Sequence, residues 1–359
     1  MTDVAVESVQ DRVRSAASAK TPLAIRSGGT RDFYGQAIVG DVVDMKPLAG
    51  IVDYDPTELV VTARAGTPVT EIDDALAARG QMLGCDAPRF GPGATFGGLV
   101  ATGLSGPRRP YAGAVRDLIL GVRIVDGKGD DLSFGGRVMK NVAGFDVARL
   151  MTGALGTLGI IIEISMKCLP LPKVEATRML ECTAEEAIRQ TNEWGGKPLP
   201  ISATCHYADQ LFVRISASAP ALDAVVAKIG GSPVDDGSAF WESIRDHTHR
   251  HFADAVAGRA ALWRLSVKST APHRDLGGDQ LIEWGGALRW LVAGPRTDAG
   301  EVRAWAQGNG GHATLFRAAD KSVGVFHPLP RPIHELHRRL KATFDPWGIL
   351  NRGRLYPDF

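Results

Sequence analysis

Cysteine is scarce: four residues in 359, Cys85, Cys168, Cys182 and Cys205, with no CxxC pair among them. That spacing excludes a disulfide framework, a zinc ribbon and a ligated iron–sulfur cluster, and leaves reduced, mostly buried thiols. Long apolar runs are missing too. The longest, around Gly159 to Ile164, is broken by Glu163 and falls far short of the roughly 18 residues a membrane span needs. The first 20 residues carry charges throughout and offer no apolar signal core, so the expected address is the cytoplasm. No excess charge of either sign exists, with 41 Lys and Arg against 40 Asp and Glu, which argues against a nucleic-acid partner.

What the chain has in abundance is glycine. There are 42 in 359 residues, about 12% against an ordinary ~7%, with no collagen-like period to account for them. Turns or a bound ligand must use them. The length corresponds to roughly two domains, and the pattern changes near Pro170 and Pro172. Before that point a helix places Val6, Val9, Val13 and Ala16 on one face. Strands are expected at 22–25, 37–43, 59–65, 115–125, 131–134 and 158–169, and a helix at 69–79 with Thr67 as N-cap. The glycine-rich stretch 85–106 reads as irregular loop. Beyond Lys173 come strands at 174–181, 201–207, 211–216, 261–267, 287–292 and 313–317. Helices are expected at 221–229, 299–306 and 333–344, and another starts at the capping box of Thr183 and Glu186. This second part reads as an antiparallel sheet covered by helices on one face.

Two glycine stretches carry the chemistry. Ser27, Gly28, Gly29 and Thr30 directly follow a strand, and paired glycines expose successive backbone N–H groups that suit phosphate oxygens. No GxGxxG opens a helix here and no GxxxxGK[ST] occurs anywhere, which argues against nicotinamide and nucleoside-triphosphate sites of those types. Gly91 to Gly98, with Gly103, Ser105 and Gly106, is small enough to let a planar ligand lie against the backbone, and Thr95 offers a hydroxyl. The two stretches read as walls of one cleft.

Five spaced motifs extend this reading: Ile25 to Thr30 with Gly35, Ala94 to Gly98, Val138 to Asp146, Gly153 to Ile161, and Phe344 to Asn351. Together they resemble the vanillyl-alcohol-oxidase (PCMH-type) FAD-binding superfamily. Leu104 to Arg109 and Phe134 to Gly144 are similar, more narrowly, to the FAD-binding E subunits of bacterial glycolate oxidases. The resemblance implies an α+β protein: a two-subdomain PCMH-type FAD-binding domain over 1–170, a smaller α+β cap domain with an antiparallel sheet over 171–330, and a segment 331–359 that returns to the FAD domain. It implies that Arg26, Ser27, Gly28, Gly29, Thr30, Arg31 and Asp32 wrap the FAD diphosphate. Ala94, Thr95, Gly97 and Gly98 would then contact the diphosphate and flavin side, Gly156, Gly159 and Ile161 the adenine end, and Asn351 the isoalloxazine ring. Many relatives attach the flavin covalently through a histidine near the first loop; here that place reads Gly29, Thr30, Arg31, Asp32, so noncovalent FAD is expected.

The implied activity is oxidation of glycolate or D-lactate to the 2-oxo acid. Electrons would pass to a second FAD-binding subunit and an iron–sulfur subunit, and any peripheral place at the inner membrane would come through those partners. A 2-hydroxy acid needs a cation for its carboxylate and a base for its hydroxyl proton. Arg264, Arg289 and Arg317 lie on expected cap strands, and His247 and His327 are available bases; the sequence does not choose among them. His247 and His251 are four apart, but no metal is expected, since no carboxylate or cysteine partner is evident. The metal motif of related D-2-hydroxyacid dehydrogenases, with Gly-Asp-Gly-Asn before a second histidine, is absent. That leaves two other roles open, a non-catalytic FAD-binding or structural subunit and a standalone flavin oxidase for another alcohol.

Overall fold

In the computed structural model, residues 3–136 and 145–359 are described; Val138 to Gly144, the core of one resemblance motif, lies outside them. The chain divides into two units, the first made of residues 1–105, 114–171 and 328–359, the second of 106–113 and 172–327. Among the described residues no helix is long and apolar enough to cross a membrane.

The first unit opens with the helix Val4–Ala19, which buries Val6, Val9, Val13 and Ala16. Spacing of three and four puts these on one face, and they pack on Leu23, Val43, Ile160, Ile162 and Leu350. Leu23–Arg26 pairs in parallel with Asp41–Asp44. Its other side is bridged by Leu350 from the C-terminal segment. A five-stranded antiparallel sheet runs in the order Ile51–Asp55, Val60–Arg64, Ile160–Lys167, Ile119–Val125, Asp131–Gly135. Ile164, Ile124, Phe96, Leu99 and Ile72 belong to one core beside it.

Several expectations are corrected here. The stretch 85–106 is not wholly irregular, because Phe96–Thr102 is a helix capped by the Thr95 hydroxyl, which accepts from the Gly98 N–H at 3.4 Å. Its glycines are contact residues rather than breakers: a Cβ on Gly97 would come within 2.7 Å of the Ala65 Cβ. Pro68, not Thr67, is the N-cap of Val69–Ala77; the Thr67 hydroxyl donates to the Arg64 carbonyl at 2.7 Å. The expected strand 115–125 begins with a helical turn, Val115–Leu118, and Ile51–Asp55 was not foreseen.

The second unit is built on an eight-stranded sheet. Its order is Ser232–Pro233, Val174–Glu181, Gln210–Ala217, Ile201–Tyr207, Asp279–Glu283, Leu288–Val292, Leu262–Ser266, His312–Arg317, with every pairing antiparallel. Leu211, Val213 and Ile215 pack on Ala187 and Trp194 of the helix Ala184–Gly195 and on Val225 of Ala219–Ile229. Trp263, Leu265 and Leu315 pack on Val302 and Trp305 of Ala299–Gly308. The opposite face is covered as well: Phe212, which alternation turns away from Leu211 and Val213, stacks on Phe240 of the helix Gly237–Asp246 at 4.2 Å. Helices on one face only is therefore too simple. Residues 106–113 are tied into this unit by Arg108 with Glu175 at 2.9 Å and by the Trp284 indole donating to the Gly106 carbonyl at 3.0 Å.

Candidate functional site: a glycine-walled cofactor cleft

Arg26 makes the last ladder contact of the first strand, its carbonyl accepting from Met45 N–H at 2.8 Å. From there the chain leaves the sheet. Among the described residues, the backbone N–H groups of Ser27, Gly28, Gly29 and Thr30 make no hydrogen bond, and the Ser27 Oγ is buried without a partner. Buried or half-buried polar groups in that state are costly, so four successive donors and a hydroxyl at one place describe a site made for an acceptor-rich guest. The loop itself is firmly held. Gly29 takes φ +73°, open to glycine at little cost; Asp32 N–H closes the turn on the Gly29 carbonyl at 3.2 Å; and Arg26 pairs with Asp32 at 2.5 Å. Arg31, 8% exposed, donates to the Thr30 hydroxyl and to the Pro88 carbonyl.

The second glycine stretch is the facing wall. A Cβ on Gly28 would fall 1.5 Å from the Gly93 carbonyl oxygen, so the two loops touch backbone to backbone. Between them opens a cleft lined by residues of both stretches. Its lining includes Arg26 to Asp32, Thr95, Gly97, Gly98, Gly156, Gly159, Ile161 and Asn351. Of the cofactor residues expected from sequence, Ala94 alone is not in the lining; it is buried behind the wall, with its carbonyl accepting from Val69 N–H at 2.9 Å. Sequence reasoning missed Ile25, Ile38, Met45, Ala65, Leu155 and Arg354, and Ala101 and Thr102 at the end of the Phe96–Thr102 helix. Ile25 and Leu155 stand inside quoted motifs without having been singled out, and Ile38, Met45 and Ala65 belong to no motif. Arg354 had a faint signal, a cation three residues after Asn351 in a glycine-containing tail.

Asn351 carries the floor. Its Oδ1 accepts from Ile25 N–H at 2.8 Å and its Nδ2 donates to the Leu155 carbonyl at 2.6 Å, which joins three separate segments. The tail is anchored behind it by Lys341, whose ammonium donates to Asp345 at 2.7 Å and to the Thr157 and Leu350 carbonyls at 2.8 Å each. The donor set suits FAD: open amides, hydroxyls and guanidinium groups for a diphosphate, beside an apolar strip of Ile25, Met45, Leu155 and Ile161 for ring systems.

The residues considered for substrate chemistry lie in the second unit. His247, the left-handed C-cap of Gly237–Asp246, is 4% exposed and stacked on Phe252 at 4.0 Å. Burial, then the charges of Arg317, His251 and Arg264, push its pKa well below the usual imidazole range. Since His249 begins a separate short turn, Arg250–Phe252, His247 and His251 do not share a helix as the spacing suggested. Arg264 lies over Trp284 at 5.3 Å and Trp290 at 5.9 Å. His327 is half-buried with a pKa lowered by burial and by Arg303. Arg289 is fully buried and donates to the Gly286, Pro272 and Ala271 carbonyls, a structural assignment for one of the expected cations. The four cysteines are free; burial pushes Cys85 and Cys168 up to about 12, so neither is a ready thiolate.

Residues 5–135 match the family described as FAD binding domain. The chain is 44% identical over 352 residues to glycolate oxidase subunit GlcE of Escherichia coli (strain K12), covering 98% of this chain and 97% of that protein. It is 30% identical over 193 residues to glycolate oxidase subunit GlcD of Bacillus subtilis (strain 168), covering 53% of this chain and 41% of that one. Against the mitochondrial D-lactate dehydrogenase (cytochrome) 1 of Saccharomyces cerevisiae the identity is 32% over 164 residues, 44% of this chain and 27% of that one. The fold is shared with solved alkyldihydroxyacetonephosphate synthase, at TM-score 0.64 and 17% identity over 96% of this chain and 74% of that chain. Fold and domain match define a PCMH-type FAD-binding protein, and the relatives place it among FAD-dependent oxidoreductases. At the finer level, the chain belongs to the family of glycolate oxidase subunit GlcE.

Proposed function

We propose that this chain is the FAD-carrying E-type subunit of a 2-hydroxy acid oxidising complex, acting on glycolate or D-lactate with a second FAD-binding subunit and an iron–sulfur subunit. The observation that carries the reading is the end-to-end likeness to a glycolate oxidase subunit, joined to a cleft whose donors fit FAD. Bound FAD supplies a hydride acceptor at its flavin N5. The open amides of Ser27, Gly28, Gly29 and Thr30, in the stretch from Arg26 to Asp32, would hold the diphosphate, and Thr95, Gly97 and Gly98 would let the cofactor approach the opposite backbone. Gly156, Gly159, Ile161 and Asn351 complete the floor. The cleft lining among the described residues includes no histidine, cysteine or tyrosine, which supports noncovalent attachment. Acid precipitation should then release all the flavin into the supernatant, and yellow protein remaining in the pellet would contradict it.

For the substrate, Arg264 is the best carboxylate partner of the cations considered. It is a half-buried strand residue against two indoles, a setting that strengthens ion pairing. His247 is sealed among Phe252, Trp290 and Phe316, which leaves His327 as the better base. A second reading, a subunit that binds FAD without oxidising substrate itself, draws support from the missing metal motif of the related dehydrogenases. Anaerobic mixing decides between them. Bleaching of the isolated chain's flavin by glycolate or D-lactate supports a catalytic subunit. Flavin that stays oxidised alone and bleaches only within the assembled complex supports the second reading.

A further inference from the structure

The C-terminal segment ends in a feature that neither motif nor likeness assigns. Arg354 is 5% exposed and lines the cofactor cleft. Its Nη1 donates to the Gln36 carbonyl at 2.6 Å, and its Nη2 lies 3.2 Å from both the Arg31 and the Asp32 carbonyls. The contact is reciprocal, since Gln36 N–H donates back to the Arg354 carbonyl at 3.0 Å. Gly35, at φ +87°, makes the approach possible: a Cβ there would sit 3.0 Å from the Arg354 Nε and carbonyl oxygen. One side chain from the last six residues thus grips the end of the loop whose open amides begin at Ser27.

The charge is the second observation. Among the described residues no carboxylate lies within ion-pair distance of Arg354. Burial lowers its pKa to about 10, and the charge of Asp32 opposes this. A buried guanidinium answered by carbonyl dipoles, with its one carboxylate neighbour outside ion-pair distance, is incompletely compensated. An anionic guest in the cleft it lines would relieve that deficit.

We propose that Arg354 is a positioning residue that couples cofactor binding to docking of the C-terminal tail: FAD in the cleft tightens the tail, and the docked tail holds the loop 27–36 in its binding conformation. This rests on the cleft being the FAD site. Such coupling is reciprocal by thermodynamic necessity. A tail that raises FAD affinity must itself be held more firmly when FAD is bound.

The test uses the full chain, stripped of flavin and titrated with FAD. Arg354→Ala should raise the FAD dissociation constant by about tenfold or more, with Arg354→Lys between the two because an ammonium reaches fewer carbonyls at once. The rise in thermal midpoint on adding FAD should shrink in the same order. A purely structural role would instead lower the midpoint of the flavin-free protein and leave the FAD-induced rise intact, which would overturn the proposal. Should the variants fail to fold, the unaltered chain decides. Arg352 is exposed and precedes the grip, so tryptic cleavage after it, followed by intact mass, should slow by about tenfold when FAD is added. Equal cleavage with and without FAD, while FAD is shown to be bound, overturns the coupling alone. Failure of the unaltered chain to bind FAD overturns the cleft assignment and the coupling with it.

Discussion

Gly28 is the position where one atom decides most. Its missing Cβ leaves the space taken by the Gly93 carbonyl, 1.5 Å from where that carbon would be, so Gly28→Ala must separate the two loops. The expected result is a folded protein whose affinity for FAD is weaker by about tenfold or more, read as flavin absorbance per chain after purification. Unchanged flavin content would mean that the walls do not need to touch. His247 gives a residue-scale prediction in the other unit. Its folded ring resists the proton that an unfolded histidine accepts near pH 6.5. Below that pH the unfolded state therefore binds more protons and stability falls as pH falls. His249, lowered to about 4, adds in the same direction between those values. Thermal midpoints should drop from pH 7 to pH 5, with a shallower slope for His247→Phe; an unaltered slope would show that the ring is not the titrating group. Legibility at this scale followed chemistry. Ser27 to Thr30 could be found because its paired glycines directly follow a strand, where exposed amides suit phosphate oxygens. Arg354 could not, because a lone arginine near a terminus is ordinarily a solvated side chain.

Elements were legible where burial alone shaped them. The helix Val4–Ala19 and the helix begun by Thr183 and Glu186 follow from spacing and capping. The helix Phe96–Thr102 was obscured by Gly97 and Gly98; their helix-breaking tendency is overridden by close packing of Gly97 on Ala65 and by the Thr95 cap on the Gly98 N–H. Ile51–Asp55 was missed because a mostly exposed edge strand shows no apolar run, and Gly237–Asp246 because its buried residues are only Trp241 and Ile244. The C-terminal helix Arg331–Phe344 is a different case: it was expected, but Lys341, the one residue it buries fully, is charged. Lys341 and Asp345, with side chains 9% and 0% exposed, form a buried pair. Lys341→Met would strand the Asp345 carboxylate, and a loss of about 3 kcal/mol in urea denaturation is expected. A change within error would show that the pair contributes nothing to tail docking.

At the scale of the molecule, the C-terminal segment is stitched into the first unit at several places. Leu350 bridges the free side of the strand Leu23–Arg26, Asn351 joins Ile25 to Leu155, and Arg354 reaches the loop beyond. Contacts between segments so far apart in the sequence leave no local pattern, so only a resemblance could suggest them. The insertion of residues 106–113 into the second unit left no sequence signal of its own either.

The claim on which the account stands is that the amides of Ser27, Gly28, Gly29 and Thr30 become bonded when the cofactor is held. Amide hydrogen exchange of the peptide spanning 24–34, followed with and without saturating FAD, measures this directly. Exchange at those positions should slow by at least about tenfold in the FAD-bound chain. Stoichiometric FAD binding with exchange there unchanged would contradict it.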